Sequence, residues 1–235
     1  MKALVIGGTR GFGKEISNNL INKGVNLISV SRAKKGCVGQ LHYTCDISDL
    51  ASWKRTINKI IKENKEINLI FFIFGFADPN PFTKLSVKDW SDTFSRNVVY
   101  VAMLLQNIED SPLGYDGIKI VTIGSQWSYK VGNKYLVPYI VSKHALKILT
   151  DDFAKRNRSM IVNHICVPTM NTPGYHVIRR SFERIGTNNL VKGIVSDHQK
   201  IAKKLVQLVL DNNKSGVSFI ITPKGKVNRL LEAFS

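Results

Sequence analysis

The chain has 235 residues, with 34 Lys and Arg against 17 Asp and Glu, a formal net charge of +17 at pH 7. Apolar residues make up 43% and charged residues 22%, which excludes a disordered chain, poor in apolar groups and rich in charge. The length suits one α/β domain over residues 1–235, and the charge points to an anionic partner: nucleic acid, an anionic surface or an acidic small molecule.

The first strand is expected over residues 2–7, with no signal-peptide core before it and the glycines following at once. It runs into Gly7-Gly8-Thr9-Arg10-Gly11-Phe12-Gly13 and then a helical pattern over 11–23. Glycines here permit a tight turn and close backbone approach, and a helix N-terminus offers unpaired N–H groups to a diphosphate. The second strand, 25–31, leads into Ser31-Arg32-Ala33-Lys34-Lys35. A carboxylate at this point would bind a ribose 2′-hydroxyl and repel a 2′-phosphate; none is present. Arg32, with Arg10 from the glycine loop, suits a 2′-phosphate, so the cofactor expected is NADP(H), with NADPH preferred over NADH.

Further strands are expected at 41–45, 68–75, 118–124, 161–167 and 217–222, and helices at 50–63, 87–108, 141–157 and 197–210. Ser48 and Ser86 are candidate N-caps for two of these helices. The alternation predicts a Rossmann-type, doubly wound parallel sheet of about seven strands with helices on both faces. Ligands then belong at the carboxyl ends of the strands. The longest apolar stretch, 67–77, falls well short of the roughly 20 residues of a membrane helix. Cys37, Cys45 and Cys166 form neither a disulfide set nor a metal-binding cluster. A soluble, cytoplasmic protein with free thiols, no metal and no membrane partner is expected.

Two Tyr-xxx-Lys patterns occur, at Tyr115–Lys119 and Tyr139–Lys143. The first contains Gly117 and enters a strand, where residues four apart lie about 13 Å from each other. The second opens a helix, where i and i+4 share a face within side-chain reach. Ser125 stands at the carboxyl end of the 118–124 strand.

With these residues the chain resembles the short-chain dehydrogenase/reductase family, from Lys2 to about Thr222. The family's TGxxxGxG appears as Ile6-Gly7-Gly8-Thr9-Arg10-Gly11-Phe12-Gly13, and Asp46-Ile47 matches its adenine-binding pair. Ser125, Tyr139, Lys143 and Asn97 match its catalytic set. The resemblance implies that Tyr139 and Lys143 also meet the nicotinamide ribose, that Gly75 lies beside the cofactor, and that Pro168 and Thr172 reach the nicotinamide amide. It implies a homodimer or homotetramer as well, through the helix carrying Val98, Val99, Val101, Ala102, Leu104, Leu105 and Ile108; burial of that set within one monomer is the alternative.

The chemistry asks for these groups. Carbonyl reduction needs a hydride on carbon and a proton on oxygen, and a free phenol, with pKa near 10, exchanges protons poorly at neutral pH. An ammonium one turn away is expected to lower that pKa, so Lys143 would tune Tyr139. Ser125 would anchor the substrate oxygen, and the resemblance implies that Asn97 supports a proton-supplying water chain.

Three departures mark a divergent member. The family's NNAG is Phe72-Ile73-Phe74-Gly75, its Pro-Gly is Pro168-Thr169, and the C-terminus is a basic tail over 223–235. Residues 1–120 hold 16 basic and 11 acidic groups, while 121–235 hold 18 and 6. Within the variable substrate loop, about 170–200, and just beyond it lie Arg179, Arg180, Arg184, Lys192, Lys200, Lys203 and Lys204. An anionic carbonyl substrate (acyl-thioester, nucleotide sugar or sugar phosphate) fits this charge, and so does a merely solvated face. Competing readings are a noncatalytic NADP(H)-binding regulator and nonspecific nucleic-acid binding; no motif for specific nucleic-acid recognition is present.

Overall fold

The structure is a computed structural model that describes residues 1–34, 38–110, 116–129, 132–187 and 195–230. Lys35, Cys37, Tyr115, Lys192 and the last five residues of the basic tail lie outside the described residues.

Eight strands form one sheet: β1 (Lys2–Ile6), β2 (Asn26–Ser31), β3 (Leu41–Thr44), β4 (Ile67–Phe72), β5 (Lys119–Ser125), β6 (Ile161–Val167), β7 (Val217–Ile221) and β8 (Val227–Arg229). Their order is β3-β2-β1-β4-β5-β6-β7-β8. The first seven are parallel, and β8 pairs antiparallel with β7. The eighth strand exceeds the expected seven. It has three residues, two of them exposed, and no apolar run announces it.

The helices are α1 (Gly11–Asn22), α2 (Leu50–Glu63), α3 (Val87–Phe94), α4 (Tyr100–Glu109), α5 (Val137–Arg156), α6 (Pro173–Arg184) and α7 (His198–Asp211). Leu4, Ile6, Ile28, Val30, Ile70 and Phe72 pack under α2, α4 and α5, against Trp53, Ile57, Leu104, Ile108, Leu146 and Phe153. Their neighbours Ala3, Val5, Leu27, Leu69 and Phe71 point to the other face, against Phe12, Ile16 and Leu20 of α1 and Ile201, Leu205 and Val209 of α7. Burial on both faces explains why these strands are continuously apolar.

Four local expectations need correction. The helix expected over 87–108 is divided by a π-helical turn, Ser95–Val99, between α3 and α4. Ser86 caps α3 in a reciprocal capping box with Asp89, but Ser48 caps nothing. Asp49 caps α2 instead, accepting from the Ser52 N–H at 3.0 Å, while Ser48 donates to Asp46. Helix α5 begins at Val137, four residues before the expected start, because Pro138 fits the first turn, where no N–H is needed. Helix α6, within the region read as a loop, starts at Pro173 under a Thr172 cap.

Lys119, at the start of β5, is buried and donates to the carbonyls of Val209 (3.0 Å), Leu210 (2.9 Å) and Asn212 (2.8 Å). One amine thus satisfies carbonyls left over at the C-terminus of α7 and favourably meets its dipole.

Candidate active site

The glycine loop leaves β1 in the middle of the sheet. Gly7 has φ of +90°, and a Cβ on Gly13 would stand 2.1 Å from the Gly7 carbonyl oxygen. The loop therefore closes only around bare backbone. Arg10 occupies the N-cap of α1 with extended backbone and no side-chain capping bond. The first-turn N–H groups of α1 thus have no capping side chain, as a diphosphate site requires. Thr9 is buried, and Arg10 is exposed. Phe12 sits in the core facing α7, so it has only its backbone to offer a ligand. A Cβ on Gly11 would lie 3.0 Å from Pro173 Cδ and 3.5 Å from Thr172 Cβ, which places Thr172 beside the loop. Pro168 is buried just after β6.

Arg32 is exposed at the end of β2. Asp46, beyond β3, accepts from the Ser48 N–H (2.9 Å) and Oγ (2.8 Å) on one oxygen. These bonds, chiefly the backbone one, hold its carboxyl below the usual range despite partial burial; the charges of Arg32 and Arg96 assist. Ile47 packs against the core beneath it.

The hydroxyl–amine set lies over β4–β6. Ser125 ends β5, buried, and its Oγ accepts from the Trp127 N–H at 3.2 Å. The Tyr139 hydroxyl, on α5, lies close to the Ser125 side chain. Lys143, one turn on, is 4% exposed and donates to the Ile123 carbonyl at 2.9 Å. A Cβ on Gly75 would stand 3.3 Å from Lys143 Nζ and 3.9 Å from Asn97 Oδ1, so this glycine leaves the amine its room. Asn97, in the π-helical turn, accepts from the Phe76 N–H and donates to the Phe76 carbonyl, both at 2.8 Å, and donates to Ser142 Oγ at 2.9 Å. It locks the segment after β4 to α5.

The electrostatics differ from expectation. Burial raises the pKa of Tyr139, opposed by the Ser125 side chain. Burial also lowers Lys143 to about 8, so the expected tuner has itself lost much of its hold on a proton.

Beneath Ser125 lies a polar layer that the sequence did not disclose. His164 on β6 bonds Thr122 Oγ1 through Nδ1 at 2.8 Å, and its buried Nε2 has no partner. A Cβ on Gly124 would stand 2.2 Å from that Nε2 and 2.7 Å from Cys166 Sγ, so the residue before Ser125 must be glycine. Burial drives His164 down to about 3 and Cys166 up to about 11. Trp127 Nε1 donates to Thr169 Oγ1 at 3.0 Å, tying the loops after β5 and β6 together. Only the pairing of distant segments reveals these contacts. Among the described residues no cluster of His, Cys, Asp or Glu suits a metal ion, and no helix is long and apolar enough to cross a membrane.

The family model for short chain dehydrogenases matches residues 1–181. A 3-oxoacyl-[acyl-carrier-protein] reductase FabG of Buchnera aphidicola (subspecies Acyrthosiphon pisum) is 27% identical over 153 residues, 61% of this chain and 62% of the relative. The match thus spans less than two thirds of that relative's length. The FabG of Haemophilus influenzae is 23% identical over 220 residues, 89% of this chain and 90% of the relative. An actinorhodin polyketide ketoreductase crystallised with NADPH superposes with a TM-score of 0.82 at 17% identity, covering 94% of this chain and 95% of that one. With the glycine loop on β1 and the Ser–Tyr–Lys set over β5 and α5, the chain belongs to the short-chain dehydrogenase family.

Proposed function

We propose that the chain is an NADPH-dependent oxidoreductase that interconverts a ketone or aldehyde and its alcohol. The observation that carries this reading is the convergence of Ser125, Tyr139 and Lys143 at the carboxyl end of β5, with one strand, β4, between it and the glycine loop of β1. A dinucleotide held by the glycine loop, Arg10 and Arg32 would supply the hydride in reduction and take it up in oxidation. Ser125 Oγ donates to the substrate oxygen as negative charge builds there. Tyr139 Oη delivers the proton to that oxygen in reduction and removes it in oxidation. Lys143 Nζ holds the ribose side of the site and biases Tyr139 toward phenolate whenever it is protonated. Asn97 fixes the Phe76 backbone and α5 relative to each other, so the hydroxyl and amine keep their spacing.

The 2′-phosphate preference is supported by Arg10 and Arg32, exposed cations with no acid at the end of β2. The ketone reading is supported by relatives that act on 3-oxoacyl groups and by the ketoreductase crystallised with NADPH. An anionic substrate is supported by Arg180 and Arg184, which with Val177, Ser181 and Glu183 line an open cavity of about 550 Å³ on α6. Homo-oligomerisation is supported by Val99, Val141 and Ile148, each more than 40% exposed on adjacent segments; Val101, Leu104, Leu105 and Ile108 are buried within the monomer.

The test is NADPH and NADH oxidation against ketones, acyl-thioesters, nucleotide sugars and sugar phosphates, with Tyr139→Phe as control. Turnover with NADPH that the substitution abolishes is expected. Equal use of both dinucleotides removes the cofactor assignment, and an undiminished Tyr139→Phe rate removes the mechanism.

A further inference from the structure

Arg96 is the residue at the site that neither the fold nor the proposed chemistry has used. It sits in the π-helical turn beside Asn97, half-buried, with its guanidinium carbon 4.1 Å from the centroid of the Phe76 ring. That is a stacking distance, and the ring is itself fixed, because Asn97 holds both backbone groups of Phe76. Among the described residues no carboxylate comes within ion-pair distance of Arg96. Its charge nevertheless reaches Asp46. A planar cation therefore sits over an aromatic ring, with no carboxylate at ion-pair distance among the described residues.

Its position says what it faces. The glycine loop is at β1; the hydroxyl–amine set lies on one side of it, over β5, and Arg32 and Asp46 lie on the other, past β2 and β3. A dinucleotide with its diphosphate on the loop and its nicotinamide at Tyr139 must extend its adenosine half toward Asp46. Two chemistries are available there, the 2′-phosphate and the adenine ring. Asp46 decides between them. It is ionised, oriented by Ser48 and able only to accept, so it repels a phosphate and suits the exocyclic amino group of a base. An arginine with one face already on Phe76 stacks a second aromatic face well.

We propose that Arg96, held over the Phe76 ring, is the stacking platform for the adenine ring, giving affinity for the dinucleotide with or without its 2′-phosphate, while Arg32 supplies the discrimination. The proposal rests on the dinucleotide reading above. It also gives a use to the segment that replaces the family's asparagines, since the aromatic residue following Gly75 is the one that supports the guanidinium.

The experiment measures dissociation constants of NADPH, NADH and ADP-ribose by calorimetry for the wild-type chain and for Arg96→Met, Arg96→Lys and Arg32→Ala. Arg96→Met keeps an apolar stem against Phe76 and removes the planar cation. It is expected to weaken all three ligands by about fivefold, with Arg96→Lys between it and wild type, and with the melting temperature of the free protein unchanged. Arg32→Ala is expected to weaken NADPH alone. Constants for Arg96→Met within twofold of wild type, or a loss confined to NADPH, overturn the platform while leaving the dinucleotide reading in place. A wild-type chain that binds none of the three ligands overturns that reading and the platform with it.

Discussion

The two sides of the sheet's carboxyl edge are built on different physical means. Over β1–β3 the site consists of backbone and charge: a glycine loop, an open helix terminus, and the exposed side chains of Arg10 and Arg32. Over β4–β6 it consists of buried side chains, with Ser125 and Lys143 inside and their hydrogen bonds satisfied by neighbours. Under the proposed function the first side would grip an anion that stays charged throughout. The second would change its protonation during turnover, and a buried setting makes each proton's position matter more. Loss of a group should therefore cost binding on the first side and rate on the second.

The largest test of that contrast is Tyr139→Phe. A fall in kcat of about 10²–10⁴-fold is expected with the NADPH dissociation constant unchanged, read by steady-state kinetics and fluorescence titration. On the other side, Gly13→Ala forces a methyl against the Gly7 carbonyl. It is expected to destabilise the chain by about 3 kcal/mol and to abolish dinucleotide binding, as urea unfolding and titration would report. Away from the edge, Lys119→Met leaves three carbonyls at the end of α7 without their donor. About 2 kcal/mol of stability should be lost with kcat unaltered, so a fall in kcat would show that α7 communicates with the site.

Lys143→Met gives the most diagnostic effect. The folded chain holds this amine at about 8, below its unfolded value of 10.5. Below pH 8 it is charged in both states, and burial of that charge opposes folding. Between pH 8 and 10.5 the unfolded chain binds the extra proton, so wild-type stability gains with rising pH. The methionine variant should melt at a higher temperature than wild type at pH 7, with the advantage shrinking toward pH 10. An inactive variant that melts no higher at pH 7 would mean that Lys143 is not strained by its burial.

How far the sequence reveals this molecule follows from the same contrast. Glycine spacing records a backbone requirement directly, and strands buried on both faces must be apolar, so the loop and the central strands are legible, while the half-exposed β3 is legible only from its place in the alternation. Tyr139 and Lys143 are one helical turn apart and equally so. Contacts between segments are not: the Thr122–His164 bond and the Gly124 cleft join β5 to β6, and no local pattern announces them. The division between α3 and α4 leaves no signal because its residues suit an α-helix equally well. Helix α6 is missed because it begins with Pro173-Gly174 and carries mostly exposed residues. The raised pKa of Tyr139 follows from its burial, which spacing alone does not supply.

Strand β8 is short and pairs the wrong way for the rest of the sheet, yet it changes how the molecule meets other copies of itself. Beyond β7, the run Val217–Ile221 would otherwise present a row of unsatisfied amides and carbonyls on an apolar ribbon, a ready template for growth of the sheet from molecule to molecule. By turning back at Thr222–Gly225 and pairing Val227–Arg229 in reverse, the chain covers that row with a strip of three residues, one of them charged, which is a poor template for another strand. Arg229 thereby sets one positive charge on the outermost strand, where charge discourages edge-to-edge pairing.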